Sequence, residues 1–127
     1  MPILDIEIEA ERDDEIAPDL AERLASVAGR VLETPPGRTW VRVHRLSRCR
    51  HAENDEELPV DARPTFVRLL LARWPDEARR SELATRLTAE VAAACDRPAD
   101  NLTLIFEPPA AGRIAFGGRL VPGEERD

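Results

Sequence analysis

One strand–helix–strand pattern is written twice along this chain, and that duplication limits the available folds more than any other feature. Pro2 opens the run PILDIEIEA and Pro64 opens PTFVRLLLA, 62 positions apart (64 − 2). A helix-like stretch follows each, then a turn bearing Pro35–Pro36 or Pro98, then a second strand-like run, TWVRV or LTLIF. Pro35 and Pro98 lie 63 apart (98 − 35), so one residue of slippage separates the copies. Recurrence on this scale marks a repeated supersecondary unit. Halves of this size are marginal alone, so the two are expected to share one sheet within a single domain. The first repeat is placed at about 2–46, a bridging segment at 47–63, the second repeat at about 64–121 and a frayed tail at 122–127.

Local patterning supports each element. Leu4, Ile6 and Ile8 alternate with Asp5, Glu7 and Glu9, the period of a half-buried strand. Acidic residues 13–15 suit a helix N-terminus, and Pro18 sits near the first turn, where a missing N–H is harmless. Leu20, Leu24, Val27, Ala28 and Val31 then form one apolar helical stripe, stopped by Pro35, Pro36 and Gly37. In the second half, Thr65 to Leu71 is more continuously apolar than the first strand, as a central strand should be. Pro75-Asp76-Glu77 restarts a helix whose stripe is Leu83, Leu87, Val91 and Ala94. The segment from Arg45 to Arg63 is polar and aperiodic, and reads as a loop or hairpin.

Strand–helix–strand units in one sheet need right-handed crossovers and parallel pairing. The predicted fold is therefore α+β: two tandem βαβ units forming a four-stranded, mainly parallel sheet with both helices on one face. The other face then has no helix to cover it, and its apolar residues require a second copy of the chain. Eighteen basic against 25 acidic residues give a net charge of −7, which argues against nucleic acid as a general partner. No apolar run approaches the roughly 20 residues of a membrane span, and Asp5, Glu7 and Glu9 interrupt what would be a leader. Two cysteines, Cys49 and Cys95, are too few for a disulfide framework, and a cytoplasmic setting is expected.

Proline directly after the initiator Met suggests chemistry. Removal of Met before a small residue would leave a free secondary amine, a possible base. The bland alternative is a proline that merely begins an edge strand, where its lost N–H costs little.

The order PILDIEIEAERDDE, DRPADNLTLIFEPP and GRIAFGGRL resembles the tautomerase superfamily, in particular fused two-repeat members similar to 4-oxalocrotonate tautomerase. The likeness runs from about residue 2 to 121, with GRIAFGGRL similar to the glycine-rich hairpin that closes the family's repeat. It implies a homotrimer acting without cofactor or metal on a small 2-oxo or 2-hydroxy-dienoate carboxylate. Pro2 would shuttle the proton, and arginines would hold carboxylate or enolate oxygens. The same likeness implies an arginine from the end of the second repeat's first strand. Arg73 lies there one residue out of register, and Trp74 stands in the expected place as a possible pocket wall. Trp40 occupies the position of the smaller enzymes' substrate arginine, leaving Arg38 or Arg42 to substitute. Arg113 in the closing hairpin is a further candidate, and Arg12 is expected beside Pro64, whose amide nitrogen cannot act as a base. The sequence has no Tyr, and Ile105 and Phe116 fall where the family's hydrating members carry water-activating groups, so proton transfer outranks hydration. A decarboxylase using the same amine, or a non-catalytic trimer, are the alternatives.

Other clusters are weaker. Cys49 and His51, with His44 upstream, lack the paired spacing of a zinc site. Cys95 lies on the apolar side of the second helix, a core position more often than a nucleophile. Gly117-Gly118 precedes no helix and is no phosphate loop.

Overall fold

A computed structural model of the chain describes residues 2–59 and 61–123. Met1 and the end of the expected tail, 124–127, lie outside the described residues. The main elements are β1 (Ile3–Glu9), α1 (Leu20–Leu32), β2 (Trp40–Leu46), β3 (Thr65–Leu70), α2 (Glu77–Cys95) and β4 (Leu102–Phe106). A two-stranded hairpin of β5 (Ala115–Phe116) and β6 (Arg119–Leu120) follows. The four long strands form one sheet in the order β2-β1-β3-β4. β1 runs parallel to β2 and β3 parallel to β4, as two βαβ units require. The two units meet through an antiparallel β1–β3 pair, from Ile3 opposite Leu70 to Ile8 opposite Thr65.

Alternation in β1 sends Leu4, Ile6 and Ile8 against the helices, and β3 contributes Val67 and Leu69 to the same cluster. Leu20, Leu24, Ala28 and Val31 of α1 and Leu83, Leu87, Val91 and Cys95 of α2 close it from above. Val27 and Ala94 are only half-buried, while Cys95 takes the core place expected of it. The α2 start is fixed by Asp76, whose carboxylate accepts from the Arg79 N–H at 2.8 Å. α1 begins at Leu20, so Pro18 stands just outside the helix.

The copies superpose in phase at a spacing of 63, not 62. Leu20 answers to Leu83, Leu24 to Leu87 and Ala28 to Val91, each facing the core. Both helices stop at a left-handed residue, Glu33 (φ 55°) and Asp96 (φ 53°), again 63 apart (96 − 33). The face parity of the strands agrees, since inward Leu4 and Ile6 answer to inward Val67 and Leu69. Thr65, not Pro64, therefore occupies the counterpart of Pro2. A one-residue shift would turn every side chain of β3 to the wrong face.

The bridging segment keeps little regular structure: β2 continues to Leu46, a 3-10 turn spans Arg48–Arg50, and Glu53 and Glu56 form an isolated bridge. No helix among the described residues is long and apolar enough to cross a membrane.

Candidate active site

Pro2 precedes the first residue of β1 and is buried. Its carbonyl accepts from the Trp40 N–H at 3.0 Å, tying it to the start of β2. On the other flank, the chain leaving β4 continues alongside the end of β3: Leu71 and Ala72 accept from the N–H groups of Ala110 and Ala111 at 2.9 and 3.0 Å. This extension turns at Gly112 into the hairpin. Gly117 and Gly118 adopt φ of 57° and 83°, the left-handed pair that a two-residue hairpin turn needs. The hairpin sets Phe116 edge-on against Trp40, centroids 5.3 Å apart, so both aromatics stand at the Pro2 end of the sheet.

Next to this end, on the face without helices, lies a cavity of about 350 Å³. Its apolar lining comes from Ile3, Leu70, Pro108 and Ile114, and its charged lining from Arg42, Arg68, Arg113, Asp5 and Glu107. Three guanidiniums against two carboxylates leave it one positive charge in excess. Strand register explains the convergence, because Asp5 is flanked by Arg42 on β2 and Arg68 on β3. Arg42 grips Asp5 through two bonds, Nε–Oδ1 at 2.7 Å and Nη2–Oδ2 at 2.8 Å, and His44 Nε2 approaches Oδ1 at 3.5 Å. Burial alone would raise the Asp5 pKa, but the bonds and charges of Arg42 and His44 outweigh it and lower the value. Arg68 lies 3.7 Å from Glu107, a loose pair. Arg113 is held across the turn, donating to the carbonyls of Pro108 at 2.6 Å and Pro109 at 2.9 Å.

Of the residues singled out from sequence, Arg42 and Arg113 line this cavity beside Ile3, while Arg73 and Trp74 are not among its lining residues. Arg73 is exposed past the end of β3, with Nη2 3.4 Å from the Pro122 carbonyl. Trp74 donates from Nε1 to the Glu107 carbonyl at 2.9 Å and carries Arg80 over its ring at 4.8 Å, packing behind the extension. At the in-phase spacing, Arg12 answers to Pro75, so Arg73 stands two places from the expected register. Arg12 itself pairs with Asp14 at 2.9 Å on an exposed turn. Arg68, Asp5 and Glu107 escaped the sequence reading. A lone arginine inside TFVRLLL was the available signal, since a charge in a central strand needs a cavity or a partner.

The remaining clusters fall apart spatially. Cys49 is exposed and contacts Ser47 Oγ at 3.2 Å, while His51 packs on Phe66 at 5.3 Å. Among the described residues, no group of three His, Cys, Asp or Glu side chains is placed to hold a metal.

No protein-family model and no curated protein sequence matches the chain. Solved structures do. A wild-type fused 4-OT (4-oxalocrotonate tautomerase) solved as an asymmetric trimer is 16% identical, with 94% of this chain and 95% of that one covered at a TM-score of 0.74. Macrophage migration inhibitory factor from Trichinella spiralis is 12% identical, with coverages of 93% and 98% and a TM-score of 0.70. A malonate semialdehyde decarboxylase inhibited by 3-bromopropiolate is 10% identical, covering 91% and 88% at 0.69. Identities this low show the fold alone, a β-α-β fold shared with the fused 4-OT and macrophage migration inhibitory factor structures.

Proposed function

We propose that the chain is a tautomerase-superfamily isomerase that moves a proton within a small 2-oxo or 2-hydroxy-dienoate carboxylate without a cofactor. Its main support is the burial of Pro2 one residue from Ile3, which lines a cavity carrying Arg42, Arg68 and Arg113. In this reading Met1 is removed and Pro2 bears a secondary amine. Burial disfavours its ammonium form, and proton transfer requires the neutral amine to be available near neutral pH. It accepts the enol O–H proton of the substrate and returns it to carbon, leaving the net composition unchanged. Arg113 or Arg68 holds the substrate carboxylate, and the other cation stabilises the enolate oxygen. Arg42 is less free for this task because Asp5 already occupies its fork. Arg73 and Trp74 would join the site only from a neighbouring copy or by moving.

The fold relatives solved as trimers, together with the uncovered sheet face, support a homotrimer of one domain per chain. On that face Trp40 and Ile105 remain 49% and 43% exposed in the single chain. A cytoplasmic setting is part of the same proposal. The likeness to a decarboxylase supports a second reading, in which the same amine and arginines would serve loss of a carboxylate.

Intact mass of protein from its own cell, followed by turnover of an arylpyruvate or 2-hydroxymuconate, tests the proposal. The expected species is lighter by one methionine, and Pro2→Ala lowers the rate at least about a hundredfold with assembly unchanged. Retained Met1, or wild-type rates in Pro2→Ala, refutes it.

A further inference from the structure

The opposite end of the molecule holds a second cavity, about 470 Å³, between the start of α1 and the end of α2. Ile8, Ile16 and Leu20 supply apolar lining, and Arg23, Arg63 and Arg97 line it as well. Their partners are unequal. Arg23 is matched by Asp19 at 3.3 Å and reaches the Ala94 carbonyl at 3.4 Å. Arg97 donates from Nη2 to the Glu9 carbonyl at 2.8 Å and from Nη1 to the Cys95 and Asp96 carbonyls at 3.5 Å, yet its Nε is shut from solvent with no hydrogen-bond partner. The Arg63 side chain has no hydrogen bond or ion pair among the described residues. Its backbone adopts φ 41°, a left-handed conformation that a non-glycine residue holds only against strain.

We propose that this cavity is a binding site for a small carboxylate with a short apolar tail, separate from the Pro2 site. The carboxylate bridges Arg63 and Arg97, and the tail lies on Ile8, Ile16 and Leu20. Two like charges side by side are unfavourable until an anion joins them. Burial, and next the charge of Arg63, lower the Arg97 pKa, while Cys95, Glu9 and Asp96 act against this. Glu15 and Asp96 also line the cavity, so the site favours a single negative charge over a multiply charged phosphate. A volume of this size suits a small organic molecule rather than a bare ion. The strain at Arg63 is then the cost of aiming its side chain.

Titration of sodium butyrate into the isotopically labelled full chain, read at the arginine Nε–H resonances, tests this. Acetate, inorganic phosphate and sodium chloride at matched ionic strength serve as comparisons. The expected result is saturation by butyrate at Arg97 and Arg63, tighter than by acetate or phosphate and unchanged in Pro2→Ala. Arg63→Gln should weaken it about tenfold or more. Arg63→Gly should do the same while leaving the melting temperature equal or higher, because glycine accepts the backbone conformation. An equal response to chloride, a preference for phosphate, or indifference to both Arg63 substitutions overturns the assignment. Persistence of binding in Pro2→Ala separates this outcome from the fate of the proton-transfer proposal.

Discussion

Replacing Leu24 by alanine should weaken both halves of the molecule equally, although Leu24 belongs to the first copy alone. Its side chain is fully buried and sits in one cluster with Leu4 and Ile6 of β1 and Leu87 of α2. Truncating such a leucine costs about 3 kcal/mol, the transfer term plus the cavity left behind. For a domain of this size that lowers the midpoint by roughly 10 °C. Two tryptophans sit in different copies: Trp40 opens β2 of the first, and Trp74 lies between β3 and α2 of the second. Thermal unfolding followed by fluorescence, in Trp74→Phe and Trp40→Phe backgrounds with and without Leu24→Ala, gives a midpoint change for each reporter. The six-residue antiparallel pairing of β1 with β3 and the shared cluster predict one transition and one common shift. Protein concentration is held fixed, because assembly raises the midpoint by mass action. A fall reported by Trp40 while Trp74 keeps its midpoint would refute a single cooperative core.

Acid titration probes the Asp5 cluster. The Asp5 pKa is lowered in the fold, so its contribution is present above its unfolded value near 3.8 and fades as pH falls through the folded value. Asp5→Asn should therefore flatten the loss of stability below about pH 4, checked by denaturant midpoints across pH; an unchanged slope contradicts the pairing. Gly118→Ala places a side chain at φ 83° and should cost about 1 kcal/mol or more while altering Trp40 fluorescence through Phe116. A silent spectrum would count against the Trp40–Phe116 contact. Thiol labelling at pH 8 should show one fast and one protected cysteine, because Cys49 is exposed while burial pushes the Cys95 thiol up to about 11. Equal rates for the two would contradict the placement of Cys95.

Period and punctuation were enough to read the strands and both helices, because each is dictated by neighbours in sequence, whereas the closing hairpin was expected from the family resemblance of GRIAFGGRL. Leu4, Ile6 and Ile8 could only face one way. The phase between the copies was harder. Pro2 and Pro64 suggested 62 and Pro35 and Pro98 suggested 63, and the burial of Leu83, Leu87 and Val67 against their first-copy counterparts decides for 63. The candidate site suffered most from this, since Arg73 and Trp74 were weighed in the wrong register. The Asp5–Arg42 bond and the placement of Arg68 depend on which strands lie side by side. Residues 37 and 63 positions apart (42 − 5, 68 − 5) give no local sign of meeting. Arg113 was a candidate because the family resemblance places a closing hairpin there.

Thr65 at the counterpart of Pro2 makes the two ends of the sheet chemically unlike. Suppose the gene were recut so that residue 65 led the chain, with the former ends bridged by a linker. The new leading nitrogen would be a primary amine on a β-branched residue whose hydroxyl is sealed and unpartnered. Such a permutant would carry the same scaffold and the opposite polarity of reactive ends, so duplication here has yielded a molecule with a front and a back.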